Sequence, residues 1–370
     1  MMKNCSFNRP KIDSLQVLRA GAFLGIFLNH AEYFIKWPVL GVSIFFVMSG
    51  FLMTYRYEPV EFAVSLKNNF SFSWNKIKKL YPLHILTMIC QVILVIITWT
   101  SEDIKISTII DLIGKIVLNV MLMQTWIPHS SVNVSLNGVA WYLSVTFFLY
   151  FMFPWIKKIV EQEKISKLCT VCGVIMAGEV ITCIPFIMFL GKDSPIYIWF
   201  MYCFPIFRLG DFFVGCVLKR IYFETNLRKI GVVKGTTYEV LAVLFTGLVF
   251  ILLKKEYNSI VAIALHNWTT VYILISAVWV LLFAANKGLI TKLLYNKLTM
   301  YVGNISVYAF LIHYVITQYT SKILQYMNVE IDVWYRTFLV FAELVISILL
   351  SEIYKRFHES IIAKKMQERK

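Results

Sequence analysis

Ten stretches of this chain are apolar over about the 20 residues that an α-helix needs to cross the hydrocarbon core of a bilayer. A water-soluble domain offers no core in which so many continuous apolar segments could be buried. Composition agrees, because 59% of the residues are hydrophobic and only 15% are charged, against about 25% in soluble proteins. We predict an all-α, polytopic transmembrane bundle with spans at about 15–37, 38–55, 80–100, 139–156, 168–190, 197–218, 237–253, 268–285, 303–321 and 334–354.

The positive charges predict how these spans are oriented. The net charge is +15, and cytoplasmic loops of membrane proteins are enriched in Lys and Arg. With ten spans and the amino terminus inside, 26 of the 36 Lys and Arg residues fall in cytoplasmic segments and seven in outer ones. We predict cytoplasmic termini, location in the cell (inner) membrane, and contact with membrane lipids rather than with nucleic acid.

An eleventh apolar stretch, at 107–124, is predicted to lie at the outer membrane interface. Asp111, Lys115 and Asn119 are four residues apart, on one stripe of a helix with aliphatic residues opposite. That pattern suits an interfacial helix better than a spanning one. If it crossed the membrane, every later loop would change sides and the basic run at 157–167 would face outward.

Motifs of soluble enzymes and of metal sites are missing from the sequence. We find no phosphate loop, no dinucleotide-binding Gly turn, no H-E-x-x-H and no G-x-S-x-G. Cys169 and Cys172 form a C-x-x-C inside an apolar stretch, without a second pair, so no metal site is predicted. No Gly/Ser/Pro linker interrupts the chain, which predicts one integral membrane domain over 1–370.

Arg19 and His30 are the most informative polar residues of the first span. They are eleven residues apart, which places them on one helix face about 16 Å apart along its axis. Ionisable groups inside spans are costly and are candidates for function. The structural alternatives are that Arg19 reaches the lipid headgroups and that His30 is a hydrogen-bonded packing residue.

Further polar side chains inside predicted spans indicate a polar interior cavity. Arg208 and Asp211 are close enough to form an ion pair on one helix, and Ser306 shares a face with His313. Small residues of the second span could instead serve only helix packing. The predicted cavity residues are Ser43, Ser49, Trp141, Arg208, Asp211, Ser306, His313 and Glu343.

A basic stretch, WNKIKKLYPLH, precedes the third span. Lys76, Lys78 and Lys79 are either topology anchors or ligands for the phosphates of a soluble anion or of lipid headgroups. Pro82 suits the first turn of the helix that follows.

LRAGAFLGIFLNH followed by GVSIFFVMSGFLMTYRY resembles the first two spans of the acyltransferase-3 family of integral membrane acyltransferases. Supporting blocks follow in order: the basic stretch with Tyr81-Pro82, then NGVAWYLSVTFFLYFMFP, FRLGDFFVGCVL and ISVYAFLIHYVI. The resemblance implies transfer of an acyl group, usually acetyl from acetyl-CoA, to a hydroxyl of a cell-surface polysaccharide or its lipid-linked precursor. No bound cofactor is implied, because acyl-CoA is a substrate.

The resemblance implies roles for individual residues. His30 matches the family's essential histidine and Arg19 its paired arginine. Lys76 and Lys79 stand where the family usually has arginines, so these residues, with Lys78 and Tyr81, are the predicted donor-binding group. Two positions depart from the family: Ser43 stands where Asp is common, and Thr146 where Glu is common in W-x-L-x-x-E.

An imidazole suits acyl transfer, since neutral His30 could act as a general base or carry the acyl group transiently. The hypothesis is that Arg19 and the Lys76–Lys79 stretch hold the phosphates of CoA while the thioester reaches towards His30. Two alternatives are a transporter or exporter of a polar or acylated small molecule, and a non-catalytic member of a polysaccharide assembly complex.

Overall fold

The computed structural model describes residues 10–32, 38–58, 60–100, 102, 104–253, 264, 270–329 and 332–367. All regular secondary structure in these ranges is helical. The α-helices in chain order are α1 (Ser14–His30), α2 (Pro38–Tyr57), α3 (Leu66–Ile77), α4 (Tyr81–Ile97), α5 (Ile106–Val120), α6 (Ser130–Asn133), α7 (Trp141–Gln162), α8 (Ile165–Leu190), α9 (Pro195–Tyr202), α10 (Leu209–Glu224), α11 (Val232–Leu253), α12 (Thr270–Ala285), α13 (Leu289–Leu294), α14 (Lys297–Met327) and α15 (Val333–Gln367).

Six helical segments in the described ranges are long and apolar enough to cross a membrane, in α2, α7, α8, α11, α14 and α15. The bent pair α3 and α4, which meet at 65°, is a seventh candidate if counted as one span. We treat α4 as the crossing part, because it contains no Lys, Arg, Asp or Glu, whereas α3 carries Lys67 and Lys76. The chain is thus a multi-pass membrane protein by length and composition of its helices.

Each of the ten predicted spans overlaps a helix, but the sixth is not continuous. Residues 197–218, predicted as one span, belong to α9 and α10, which are separated by a non-helical stretch at 203–208. Pro205 lies in that stretch, and proline removes a backbone donor and clashes with the preceding helical turn. The break brings Arg208 to the N-cap position of α10.

The amphipathic stretch predicted at 107–124 forms α5 over Ile106–Val120. Lys115 pairs with Asp111 at 2.6 Å on the exposed side, whereas Asn119 is buried and donates to Ser135 Oγ at 2.9 Å. The opposite, aliphatic face is exposed, with Ile110 as an example. One end of the polar stripe therefore faces the protein itself.

Glycines set the closest helix contacts of the core. A methyl group on Gly50 of α2 would collide with the backbone of α10, and one on Gly215 of α10 would collide with the backbone of Val47 in α2. The two helices run in the same direction, because Ser43 of α2 contacts Asp211 of α10 and, four residues further along both helices, Val47 contacts Gly215. Helix packing thus accounts for the glycines of the second span.

A third glycine fixes the register of α1 against α14. A methyl group on Gly303 would overlap the backbone of Gln16, and further along the same two helices the rings of His30 and His313 lie 5.5 Å apart. The helices are therefore parallel and side by side. This register places Arg19 beside Ser306 near one end of the pair and His30 beside His313 near the other.

Candidate functional site

A cavity of about 140 Å³ lies among α1, α2, α3, α7 and α14. Its polar lining comes from five elements of the fold and consists of Arg19, Ser49, Lys76, Tyr142, Thr146, Tyr150 and Ser306. Apolar side chains complete the wall, among them Phe45 and Phe310. Of the predicted site residues, the structure brings Arg19, Ser49, Lys76 and Ser306 together here.

Arg19 supplies a permanent positive charge to this cavity. Its Nη1 donates to Gln16 Oε1 at 3.1 Å, one turn earlier on α1. Among the described residues, no carboxylate lies within ion-pair distance of Arg19. A guanidinium stays protonated in proteins, so the cavity holds a cation whose known protein neighbours are neutral or, like Arg56, positive.

Lys76 is a second cation at the cavity, in the last turn of α3. Its ammonium donates to the hydroxyl of Tyr57 and lies 4.2 Å from the centre of that ring. Burial, together with the neighbouring charges of Arg56 and Lys79, lowers the pKa of Lys76 to about 8. Lys76 therefore loses its charge as the pH rises through about 8, unless a bound anion stabilises the ammonium form.

The other predicted donor-binding residues lie outside the cavity lining. Lys78 and Lys79 are exposed, and Lys78 donates to Asn75 Oδ1 at 2.6 Å. The hydroxyl of Tyr81 donates to the carbonyl of Val120 at 2.8 Å, so this tyrosine joins α4 to the end of α5. Their role in donor binding stays a prediction.

Three residues near Arg19 escaped the sequence analysis as site residues. Tyr142, Thr146 and Tyr150 follow one another at intervals of four in α7, a stripe that was present in the sequence and faces the cavity. Arg56, in the last turn of α2, was counted only as a topology signal. Its charge acts on both Arg19 and Lys76.

His30 lies at the other end of α1, outside this cavity. Its ring is 5.5 Å from the ring of His313 and 5.3 Å from that of Tyr314, the latter edge-on. His313 is fully buried. Phe310 lines the Arg19 cavity and also contacts His313, with 5.9 Å between ring centres. Phe310 therefore contacts both the cavity and the histidine pair.

Ser43, Arg208 and Asp211 form a separate buried group between α2 and α10. Ser43 Oγ donates to Asp211 Oδ1 at 2.5 Å, and Arg208 Nη1 lies 3.5 Å from Asp211 Oδ2. The predicted ion pair is confirmed, at a distance longer than an N–H···O hydrogen bond. The Arg208 guanidinium also packs 5.0 Å from the ring centre of Phe46, which in turn contacts Trp141.

Glu343 belongs to none of these three groups. It is buried on α15, where the hydroxyl of Ser347 donates to its backbone carbonyl and the hydroxyl of Ser351 donates to that of Ser347, each at 2.6 Å. The predicted polar residues are thus divided among four places in the bundle: the Arg19 cavity, the His30–His313 pair, the group of Ser43, Arg208 and Asp211, and Glu343 on α15. Helical periodicity indicates which of them face inward but not which neighbouring helix they meet.

The fold and these polar groups define a multi-pass helical membrane protein with a cationic interior cavity. The acyltransferase-3 family model, described as an acyltransferase domain, matches residues 12–352, so the chain belongs to this family of acyltransferases.

Two curated proteins, both named as acyltransferases, are similar to this chain at low identity. Acyltransferase MdmB of Streptomyces mycarofaciens is 25% identical over 249 residues, which cover 61% of this chain and 61% of MdmB. O-acetyltransferase OatA of Staphylococcus aureus is 25% identical over 379 residues, covering 96% of this chain and 57% of OatA. The match thus spans about three fifths of each relative. No solved structure matches the chain.

Proposed function

We propose that this protein is a membrane-bound O-acyltransferase that moves acetyl from acetyl-CoA to a hydroxyl of a cell-surface polysaccharide or lipid-linked glycan. The observation that carries the proposal is Arg19, a cation without a carboxylate partner among the described residues, lining a cavity on the same helix as His30. Family membership supports acyl transfer, and the name of the relative OatA supports acetyl as the group.

Arg19, Lys76 and Arg56 form the donor-binding cations of this proposal. Charge-assisted hydrogen bonds from guanidinium and ammonium groups to phosphate oxygens are short and strong. The cavity, at about 140 Å³, is smaller than the roughly 300–1,000 Å³ of a typical ligand pocket. It therefore suits one end of the donor, while the exposed cations Lys78 and Lys79 are available to the rest.

His30 performs the chemistry, as a general base or as a transient acyl carrier. As a base, it takes the proton of the acceptor hydroxyl while that oxygen attacks the thioester carbonyl and the C–S bond breaks. The proton then passes to the thiolate, giving an ester and free CoA. The thioester has to pass close to Phe310 to reach His30 from the Arg19 cavity, since Phe310 lines that cavity and contacts His313.

The proposal includes the membrane topology inferred from the charges. Ten spans in a single domain, with cytoplasmic termini, place Arg19 and Lys76 towards the cytoplasm, where acetyl-CoA is made. The packing supports this order of spans: α1 and α14, the first and ninth, are parallel, as are α2 and α10, the second and sixth.

Acetyl transfer to envelope glycans tests the proposal. Membranes from a strain lacking the gene, complemented with the full chain, are supplied with acetyl-labelled acetyl-CoA, and base-labile label in the glycan fraction is measured. We expect label with the wild type, none above background with His30→Ala, and wild-type label with His129→Ala, which replaces an exposed histidine.

Three results would contradict the proposal. If His30→Ala, correctly inserted, still labels the glycan, His30 is not the reacting group. If the wild type labels nothing but moves an acylated molecule across the membrane, the protein is a transporter. A polysaccharide assembly role without chemistry would leave the phenotype unchanged in both His30→Ala and Arg19→Gln.

A further inference from the structure

We propose that His313 is a positioning residue for His30: its Nε2 accepts a hydrogen bond from one nitrogen of His30 and leaves the other nitrogen of His30 free as the base. This inference rests on the proposed function and assigns the base role, rather than the acyl-carrier role, to His30.

The backbone fixes the tautomer of His313. Its Nδ1 lies 3.0 Å from the carbonyl oxygen of Ala309, one turn earlier on α14. A carbonyl oxygen can only accept, so Nδ1 carries the hydrogen and donates it. A neutral imidazole has one N–H, and the Nε2 of His313 is therefore an acceptor.

That acceptor is buried and has no hydrogen-bond partner among the described residues. His313 has no exposed surface. The rings in contact with it are those of Phe23, Phe27, Phe310 and His30. Buried polar atoms are nearly always hydrogen-bonded, and of these four neighbours only His30 has a donor to offer.

The geometry allows this bond. The two imidazole centres are 5.5 Å apart, which leaves hydrogen-bond distance between ring edges that face each other. His30 is only half-buried and ends α1, so its side chain can rotate to present an N–H to His313. Tyr314 closes the other side of His30 with its ring edge-on at 5.3 Å.

The bond decides which proton His30 can accept. With one nitrogen donating to His313, the lone pair of the other nitrogen points away from His313 and is available to the acceptor hydroxyl. As the hydroxyl oxygen bonds to the acyl carbon and the C–S bond breaks, His30 takes the hydroxyl proton and keeps its bond to His313. It then returns a proton to the thiolate, so the products are the ester and free CoA thiol.

Matched substitutions at His313 separate positioning from packing. Leu fills similar space without an acceptor, whereas Gln can place its side-chain oxygen near the position of Nε2. We expect His313→Leu to lower kcat by about 10- to 100-fold, part of the roughly 10²–10⁴-fold that a positioned base contributes. KM for acetyl-CoA should change less than about twofold, because donor binding lies at the other end of α1. His313→Gln should recover at least about fivefold of the lost kcat.

The controls make each outcome decisive. Size-exclusion profile and thermal unfolding in detergent establish that each variant is folded. If His313→Leu does not accumulate, Asn replaces it, since Asn is polar but too short to reach the Nε2 position. The role of His313 is overturned if His313→Gln has the same kcat as His313→Leu or His313→Asn. It is also overturned if the Leu or the Asn variant keeps the full wild-type kcat. A wild-type protein without acyl transfer instead overturns the proposed function itself.

Discussion

Arg19 and Arg208 both lie inside the helical bundle, and they differ in what balances their charge. Arg208 is fully enclosed, and Asp211 stands 3.5 Å away on the next turn of the same segment. Arg19 is half-buried against a cavity, and its hydrogen bond in the described structure goes to the neutral side chain of Gln16. Arg208 thus has an acidic partner within the fold, whereas Arg19 lines a cavity.

This difference indicates what each arginine is for. A charge removed from water needs a partner, and breaking a buried pair leaves the remaining charge uncompensated. Arg208 and Asp211 meet that need internally, which makes them part of the fold. Arg19 is left with a positive charge that an anionic ligand can balance, which is why we assign it to the donor site.

The largest effect is expected from breaking the internal pair. Arg208→Met leaves Asp211 as a buried, unpaired acid and should lower the free energy of unfolding by about 3–5 kcal/mol. Adding Asp211→Leu should recover most of this loss, because neither charge then remains. Thermal unfolding in detergent measures both variants. A single variant as stable as the wild type would show that the pair is not structural.

Arg19→Gln should act on the donor rather than on stability. A hydrogen bond to a charged group contributes about 1.5–3 kcal/mol, so KM for acetyl-CoA should rise about 10- to 100-fold. Unfolding should change little, since no internal ion pair is lost among the described residues. The KM of Arg19→Lys for acetyl-CoA should lie between those of the wild type and Arg19→Gln, because lysine keeps the charge but not the bidentate geometry. A loss of stability with an unchanged KM would make Arg19 resemble Arg208.

The pH dependence of donor binding should report Lys76. Its pKa is lowered to about 8, so the ammonium form that binds phosphate is present below pH 8 and is lost as the pH rises through that value. Donor affinity should therefore fall about threefold to tenfold between pH 7 and 9. Lys76→Ala should remove this slope, and Lys67→Ala, an exposed lysine on the same helix, should keep it. A slope that persists in Lys76→Ala belongs to another group.

The smallest effect is expected from a substitution at Gly138, which packs against Tyr314. A methyl group on Gly138 would come within 2.6 Å of the Tyr314 ring and hydroxyl, so Gly138→Ala should displace this ring from its edge-on contact with His30. Small misplacements near the reacting group lower rates, and we expect kcat to fall about fivefold with KM unchanged. Gly114→Ala is the matched control, since no atom lies within 4 Å of its added methyl. Equal kcat in both variants would exclude a role for Tyr314 in holding His30.

Much of the fold could be predicted from local patterns. The apolar stretches became helices because their length and hydropathy leave few other structures in a membrane. The Arg208–Asp211 pair followed from i, i+3 spacing. The break at 203–208 was not predicted, because the apolar character continues through the stretch. Pro205 was the signal in the sequence that indicated it.

The site itself could be predicted only in part. One face of α3 has helical spacing, formed by Asn69, Phe72, Ser73 and Lys76. This spacing predicts that Lys76 faces the interior, on a different side of the helix from Lys78. The density of charge in this stretch concealed that pattern. Which helices meet around Arg19 depends on long-range packing, such as the contact of Gly303 with Gln16, and no local pattern in the sequence encodes it.

Equilibrium binding of CoA to the purified full chain in nanodiscs tests the central claim most directly. If Arg19 is a cation that waits for the donor, the wild type binds CoA, Arg19→Gln binds it at least about tenfold more weakly, and both proteins unfold at nearly the same temperature. Equal affinity in the two proteins would contradict the assignment of Arg19 to the donor site.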